Sequence, residues 1–296
     1  MAPSRSRVLS ALVMVQVLFG INYVVTKAVV NVFPPLVWAS LRAVISALAM
    51  ILFALLTKRP HPKGKSEYFL PLIGLALFGT VINQASFLVG LKYTTSTNAA
   101  ILNTLIPVFT LLIVTTVGQE PLTLKRGIGF LLALVGVLIL RKVENFTLSD
   151  ETAIGDLLMI MNCLSYGIFL TISKKYFERY DRLWTTAWIF VYGSVGLTLL
   201  ALPQWAQFEA PVMTGDLWAA SVFAIFGGTL MTYFLNNWAL AYTRTTNVAF
   251  FIYIQPIIAG FLSWWVYGDA ITPRELLAGA FIFFAVFLVL RQDAKA

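Results

Sequence analysis

The sequence predicts an all-α integral membrane protein whose ten transmembrane helices form an inverted repeat of two five-helix halves. Three observations lead to this prediction. Of the 296 residues, 59% are hydrophobic and only 11% are charged, and the mean hydropathy is +0.83. Ten apolar runs follow one another with short links between them. The second half of the chain also repeats residues of the first half at a constant spacing.

The composition excludes several classes of protein. Average soluble domains carry about 25% charged residues, so this chain lacks the polar surface of a water-soluble globule. An aromatic share of 14% is too high for a disordered or fibrous chain. The single cysteine, Cys163, cannot form an intrachain disulfide, and the single histidine, His61, has no second His or Cys near it in sequence. Metal sites built from His and Cys are therefore excluded, and no cofactor is expected.

The ten predicted spans are apolar runs bounded by charged residues, prolines or glycine clusters. About 20 such residues are needed to cross about 30 Å of hydrocarbon. In chain order the spans cover 8–28, 34–56, 68–91, 96–117, 124–141, 154–174, 184–203, 216–240, 246–267 and 273–291. The first follows Arg5 and Arg7 as the core of a signal peptide would, but no small-residue cleavage site appears before Lys27. It is therefore predicted to be a retained helix.

Basic residues are distributed unevenly between the two ends of the predicted bundle. The end with the N-terminus and the even-numbered links holds fifteen of the 21 lysines and arginines, the opposite end holds five, and Arg42 lies within the second span. Because Lys and Arg accumulate in cytoplasmic loops, both termini are predicted to be cytoplasmic, in a multi-pass protein of the inner (cytoplasmic) membrane. This bias accounts for the net charge of +8, so no nucleic-acid partner is expected.

An internal repeat relates the two halves of the chain. Tyr93–Pro107 aligns with Tyr242–Pro256 at an offset of 149 residues, and six of the fifteen positions are identical. Each copy holds five spans, and because five is odd the second copy enters the membrane from the opposite side. We therefore expect two repeats, residues 1–145 and 146–296, in the inverted arrangement typical of secondary transporters.

A series of short motifs runs in the same order through both halves. The motifs are Phe19-Gly20, Leu41-Arg42, Gly79, Tyr93, Ala99-Ala100, Pro107 and Glu120 in the first half, and Gly155-Asp156, Ser165-Tyr166, Tyr242, Pro256, Asp269 and Gly279 in the second. In these motifs the chain resembles the drug/metabolite transporter superfamily, and within it the EamA-type ten-helix permeases. Within that group it is also similar to aromatic amino-acid exporters of the YddG type, although many relatives carry Trp where this chain has Phe19 and no single motif marks that branch. The resemblance implies alternating access and efflux of small metabolites, typically amino acids.

Polar side chains within the spans are the candidate binding residues, because a polar group in hydrocarbon is costly unless it is paired. Spans one, three, six and eight carry amide and aromatic residues at helical spacing and similar depth. The candidate substrate-binding residues are Asn22, Asn83, Gln84, Asn103, Tyr166, Trp188, Tyr233 and Asn237. Amides bind both the ammonium and the carboxylate of an amino acid, while aromatic rings enclose its side chain. The alternative is that these residues only join helices, through hydrogen bonds worth about 0.6–2 kcal/mol each.

Two prolines and one arginine complete the candidate residues. Pro107 and Pro256 occupy matching positions in spans four and nine, where the missing backbone donor predicts a kink. Both are candidate gating hinges, with fixed curvature as the alternative. Arg42 either binds a substrate carboxylate or extends its long side chain to the membrane interface.

These features favour a transporter that exports small metabolites, amino acids first and aromatic ones among them, by alternating access. All thirteen acidic residues lie in links or at span ends, so a facilitative uniporter is predicted, with a proton-coupled drug/metabolite antiporter as the alternative. A membrane-embedded enzyme is disfavoured because His61 lies in a link and the spans offer no carboxylate pair. The expected partners are a small zwitterionic or apolar metabolite and the lipid bilayer, with the chain a monomer or a homodimer.

Overall fold

The protein is helical throughout the part of the chain that a computed structural model describes, residues 3–62, 66–94, 99, 102–140, 150–255 and 273–293. Ten helices form within these residues, and no strand forms among them. The helices are α1 (Arg5–Val30), α2 (Pro35–Leu56), α3 (Ser66–Tyr93), α4 (Leu105–Thr116), α5 (Leu124–Leu140), α6 (Asp150–Arg179), α7 (Arg182–Trp205), α8 (Gly215–Leu240), α9 (Thr245–Ile254) and α10 (Pro273–Asp293).

Each predicted span corresponds to one of these helices. Six of them, α1, α2, α3, α6, α7 and α8, are long and apolar enough to cross a membrane, and α4 and α9 are shorter apolar helices. Residues 96–98, 100 and 101 of predicted span four and residues 256–267 of predicted span nine fall outside the described residues. α6 extends further than the predicted 154–174, because Lys174 lies inside the helix, where its Nζ donates to the backbone oxygens of Leu240 (3.1 Å) and Thr243 (2.6 Å).

Polar side chains fix the start of three helices. Ser4, Asp181 and Thr214 precede α1, α7 and α8, and each accepts a hydrogen bond from the backbone N–H three residues further on. Such N-caps satisfy donors that the first helical turn leaves without a partner. The helix boundaries are therefore set by local chemistry as well as by the apolar runs.

The outer faces of the helices carry large apolar side chains. On α2, the side chains of Leu48, Leu52 and Phe53 are each more than half exposed, while Arg42 and Ala43 on the same helix are buried. A soluble protein rarely exposes continuous apolar surface of this kind. The surface is that of a multi-pass membrane protein with lipid against its outer face.

α3 and α8 each contain a π-helical segment at matching positions, which the sequence did not predict. The segments are Leu77–Ile82 and Phe223–Met231. Gly79 and Gly228, which are 149 residues apart, lie within them. A phenylalanine ring of α6 packs directly on Gly79, and the side chain of Asn22 on α1 packs directly on Gly228. The glycines thus allow α3 to approach α6 and α8 to approach α1.

The helices pack with twofold symmetry between the halves. α2 packs against its counterpart α7, α4 against α9, and α5 against α10. The other main contacts are those of α3 with α6 and of α8 with α1. These two contacts are equivalent, because α8 is the counterpart of α3 and α1 is the counterpart of α6. This is the packing of an inverted repeat, in which an axis in the membrane plane relates the two sets of five helices. The predicted fold, an all-α membrane protein of ten helices in an inverted repeat, is confirmed.

The buried apolar side chains of the described residues form four separate clusters. At the end where α1 begins, here called the N-terminal end, one cluster joins α1, α3, α6, α7, α8 and α9, and includes the fully buried Leu12, Tyr68 and Phe177. A second cluster runs along α2 and α7, and a third joins α4, α5, α9 and α10. The fourth, which includes Leu91 and Met159, lies among α3, α4 and α6.

Candidate substrate-binding site

A cavity lies between the two halves, near the middle of the bundle. It holds about 70 Å³ of space that a water-sized molecule can enter, which is smaller than the about 300–1,000 Å³ of typical small-molecule sites. Its walls are formed by Phe19, Asn22, Tyr23, Arg42, Asn83, Gln84, Phe87, Asn103, Ile106, Asn162, Tyr166, Gly228, Tyr233, Ile252 and Gln255. Among these lining residues Arg42 alone carries a charge.

Four of the lining residues form one chain of hydrogen bonds. Arg42 on α2 donates through Nη2 to Oε1 of Gln84 on α3. Nε2 of Gln84 donates to the Tyr233 hydroxyl on α8 (2.6 Å), and that hydroxyl donates to Oδ1 of Asn83 (2.9 Å). Gln84 and Tyr233 occupy equivalent positions of the two repeats, so their bond joins the halves at the pseudo-twofold axis.

A second group of polar side chains reaches the cavity from α1, from α6 and from the turn that precedes α4. The Tyr166 hydroxyl accepts a hydrogen bond from Nδ2 of Asn236 (3.0 Å), which leaves the phenolic proton free to bond a ligand. Nδ2 of Asn103 donates to the hydroxyl of Tyr23. Nδ2 of Asn162 is held by the backbone oxygen of Asn83 at 2.9 Å. These bonds hold the amides and phenols in fixed directions, as a selective site requires.

The position of Asn22 depends on its neighbours on two helices. Its Oδ1 accepts a hydrogen bond from the hydroxyl of Thr26, one turn along α1, at 3.0 Å. Its side chain lies directly on Gly228 of α8, where any larger residue would collide with it. The Asn22 amide therefore has little freedom to turn away from the cavity.

Apolar and aromatic side chains complete the walls. Phe19, Phe87, Ile106 and Ile252 line the cavity together with the polar residues. The rings of Tyr23 and Phe87 meet edge to face, with centroids 5.7 Å apart. A site of this composition suits a ligand with one polar end and one apolar end.

Six of the eight predicted binding residues line the cavity: Asn22, Asn83, Gln84, Asn103, Tyr166 and Tyr233. The other two lie closer to the N-terminal end. Asn237 follows Tyr233 by one helical turn, and its Nδ2 donates to the hydroxyl of Thr186 at 3.2 Å. Trp188 packs edge to face on Phe69, with ring centroids 5.1 Å apart, and donates through Nε1 to His61.

The two predicted hinges, Pro107 and Pro256, stay predictions. Pro107 is the third residue of α4, within the first turn, where a missing backbone donor breaks no helical hydrogen bond. The hydrogen-bond pattern changes just ahead of the proline, because the Asn103 N–H bonds to the backbone oxygen of Ala99 at 3.0 Å, whereas the Asn103 oxygen accepts from Ile106 at 3.1 Å. A turn at 103–104 thus separates α4 from the helical residues before it. Pro256 lies outside the described residues.

Among the polar residues of the cavity, the role of Arg42 was left undecided by the sequence and Gln255 was missed. Arg42 is 3% exposed and lines the cavity, so its side chain does not extend to the membrane interface. Gln255 was not predicted; its Nε2 donates to Oε1 of Gln16 at 2.7 Å. The repeat contained a signal for it, because Gln255 stands 149 residues after Ile106 and both line the cavity.

Two carboxylates near the span ends are buried, although the sequence predicted them only at boundaries or in links. Glu120, between α4 and α5, lies 3.3 Å from Arg126, whose side chain is fully buried. Asp156 on α6 is 2% exposed and accepts a hydrogen bond from the hydroxyl of Thr94. Neither carboxylate lines the cavity, and among the described residues no group of three or more His, Cys, Asp or Glu is placed to hold a metal ion.

Comparison with known families identifies the repeat. The EamA-like transporter family matches residues 7–142 and again residues 153–291, which together make up most of the chain. The chain belongs to the EamA-like transporter family. It is therefore a multi-pass membrane transporter of the drug/metabolite transporter superfamily, and the family match falls once on each half.

Individual relatives of this EamA-family transporter match along its whole length. The uncharacterized transporter YoaV of Bacillus subtilis is 23% identical over 285 residues, covering 95% of this chain and 96% of YoaV. The WAT1-related protein At5g13670 of Arabidopsis thaliana is 22% identical, covering 98% of this chain and 86% of that protein. A solved crystal structure superimposes with a TM-score of 0.79 at 17% identity, covering 99% of this chain and 100% of the other, and shows that the fold is shared.

Proposed function

We propose that this EamA-family transporter exports small metabolites, amino acids foremost and aromatic ones among them, by alternating access as a facilitative uniporter. The observation that carries the proposal is the central cavity, where amides, phenols and aromatic rings converge from both halves. A transported molecule must be held at such a point, since two repeats that move around a central site expose it to each side in turn.

The lining residues support a zwitterion with an apolar tail as the ligand. The amides of Asn83 and Asn103 offer both donors and acceptors, and the Tyr166 hydroxyl adds a donor. Phe19 and Phe87 supply apolar surface that a hydrocarbon or aromatic side chain would cover. The faces of such rings also attract an ammonium group.

The proposed orientation follows from the basic residues. Fifteen of the 21 lysines and arginines lie at the N-terminal end. We therefore propose that the protein lies in the inner membrane with both termini in the cytoplasm. In this orientation, repeats 1–145 and 146–296 move against each other around the cavity.

A proton-coupled antiporter is the second candidate, and the buried carboxylates of Asp156 and Glu120 favour it. An intramembrane carboxylate is the usual carrier of a coupled proton. The uniporter comes first because neither carboxylate lines the cavity and Glu120 already pairs with Arg126.

Flux measurements on the purified chain in liposomes test both candidates. Liposomes loaded with a panel of the twenty amino acids should release one or more of them down its gradient, at a rate that alanine at Asn83, Gln84 or Tyr166 reduces. Ser194→Ala serves as the control, because this hydroxyl bonds only to the backbone of its own helix. Folded yield is measured in parallel to separate binding from stability.

Two results would change the proposal. Uphill accumulation driven by an imposed pH gradient, at zero amino-acid gradient, would replace the uniporter with the proton-coupled antiporter. Turnover of lipid or peptide without any amino-acid flux would overturn transport of amino acids and favour a membrane-embedded enzyme.

A further inference from the structure

Arg42 is a buried cation that has no anionic partner within the part of the chain that the structure describes. The side chain is 3% exposed, and Nη2 donates to the neutral amide of Gln84. Nη1 is buried and has no hydrogen-bond partner among the described residues. A buried guanidinium is costly unless a carboxylate or similar anion compensates its charge.

The other fully buried arginine of the described chain shows how a structural cation is held here. Arg126 pairs with the carboxylate of Glu120 at 3.3 Å and also donates to the backbone oxygen of Pro121 at 3.3 Å. Among the described residues, Arg42 contacts neither a carboxylate nor a backbone oxygen, although it is almost as deeply buried as Arg126. The difference between the two sites is that Arg42 lines the cavity.

We propose that Arg42 is the carboxylate subsite of the transport cavity, and that the transported molecules are those with a free carboxylate group. This inference rests on the proposed transport of amino acids and names the group by which the site recognises them. The planar guanidinium presents parallel N–H donors that match the two oxygens of a carboxylate. Gln84 occupies only part of this donor set and leaves Nη1 to the ligand.

The hydrogen-bond chain behind Arg42 fixes the orientation of the guanidinium. Gln84 is itself held by the Tyr233 hydroxyl, which in turn bonds Asn83. Because this chain joins α2, α3 and α8, binding of a carboxylate at Arg42 engages helices from both halves. The rest of the lining is neutral, so a ligand carboxylate meets no repelling charge from it.

A panel of four related molecules tests the inference on the purified full chain. The panel is L-phenylalanine, its amide, phenethylamine and 3-phenylpropionate, each tested for its effect on thermal stability and on flux. The two molecules with a carboxylate should raise the stability of the wild-type protein, since a ligand stabilises the state it binds. The amide and the amine should bind roughly 10- to 100-fold more weakly, the loss expected for hydrogen bonds to a charged group.

Three variants separate a binding role from a structural one. Arg42→Met should abolish the stability shift by L-phenylalanine while the ligand-free protein unfolds at the same temperature or higher, because an uncompensated charge is removed. Arg42→Lys keeps the charge but loses the planar fork, and should weaken binding less. Gln84→Glu places a carboxylate of the chain beside Arg42 and should block the ligand carboxylate. Arg59→Met, at an exposed arginine outside the cavity, is the control.

The possible outcomes distinguish this inference from the proposed function. If amino acids and their amides are bound and transported equally, or if Gln84→Glu leaves L-phenylalanine binding unchanged, the carboxylate subsite is overturned and amino-acid transport stands. If 3-phenylpropionate is transported and no amino acid is, the subsite stands and amino-acid transport fails. If no carboxylate of the panel or of the twenty amino acids stabilises the wild type, both are overturned.

Discussion

Removing the Arg126 guanidinium should destabilise the protein strongly, because it leaves a carboxylate buried without its counter-ion. The Arg126 side chain is fully buried, and the Glu120 side chain 3.3 Å from it is 8% exposed. Deleting one partner of such a pair costs roughly 3–5 kcal/mol. The pair of Arg59 and Asp181, in which the arginine is 50% exposed, should contribute only about 0–1 kcal/mol.

Glu120 has a second role that a neutral replacement can preserve. Its two carboxylate oxygens accept hydrogen bonds from the backbone N–H (3.3 Å) and the hydroxyl (2.5 Å) of Thr246 in the first turn of α9. The residue preceding that helix, Arg244, provides no side-chain cap. Glutamine at position 120 retains an acceptor oxygen, so Glu120→Gln combined with Arg126→Met removes both charges and keeps part of the cap.

Thermal unfolding of the purified variants in one detergent measures the effect. Arg126→Met should lower the unfolding temperature by roughly 6–20 °C, and Arg59→Met by less than about 4 °C. The double variant Glu120→Gln/Arg126→Met should recover most of the loss, because it leaves no unpaired charge. A double variant no more stable than Arg126→Met alone would refute this reasoning.

Three further predictions concern packing, the candidate site and topology. Gly228→Ala should lower the free energy of unfolding by about 1–3 kcal/mol, whereas Gly127→Ala, where the added methyl meets no neighbour, should raise it by about 0.5–1 kcal/mol; equal effects in thermal unfolding would contradict the packing argument. Asn237→Ala should cost about 1–3 kcal/mol of stability but leave KM for the transported amino acid unchanged, and a shift in KM would return this residue to the binding site. Thr147→Cys in a Cys163→Ser background should react with an impermeant thiol reagent in intact cells, and reaction only after lysis would reverse the proposed topology.

The sequence predicted the helices well because their limits are marked by strong local signals. The start of α2 at Pro35 and the end of α3 at Tyr93 each lie within two residues of the predicted bounds, since a proline and a charged turn interrupt the apolar runs there. The inverted repeat was also predictable, because it preserves a constant spacing that sequence comparison detects directly. Both features depend on residues close together in the chain or related by one offset.

The candidate site was predicted less completely because it depends on depth and on contacts between distant spans. Asn237 shares a helix face with Tyr233, but it lies one turn closer to the packed N-terminal end and bonds there. The position of Arg42 could not be decided from α2 alone, since Gln84, which holds it in the cavity, belongs to another span. The burial of Glu120 likewise follows from the first turn of α9, which approaches from the other half of the chain.

The matching π-helical segments of α3 and α8 bear on how this chain came to have two halves. A π turn closes its hydrogen bonds over one residue more than an α turn, so it marks an extra residue within an otherwise α-helical span. The offset of 149 residues is the same at Gly79 and at Tyr93, so neither half has gained or lost a residue between these points relative to the other. The extra residue therefore belongs to the five-helix unit itself. A π turn that both halves carry in one register is what duplication of a single five-helix unit would produce, and it stands where α3 meets α6 and α8 meets α1.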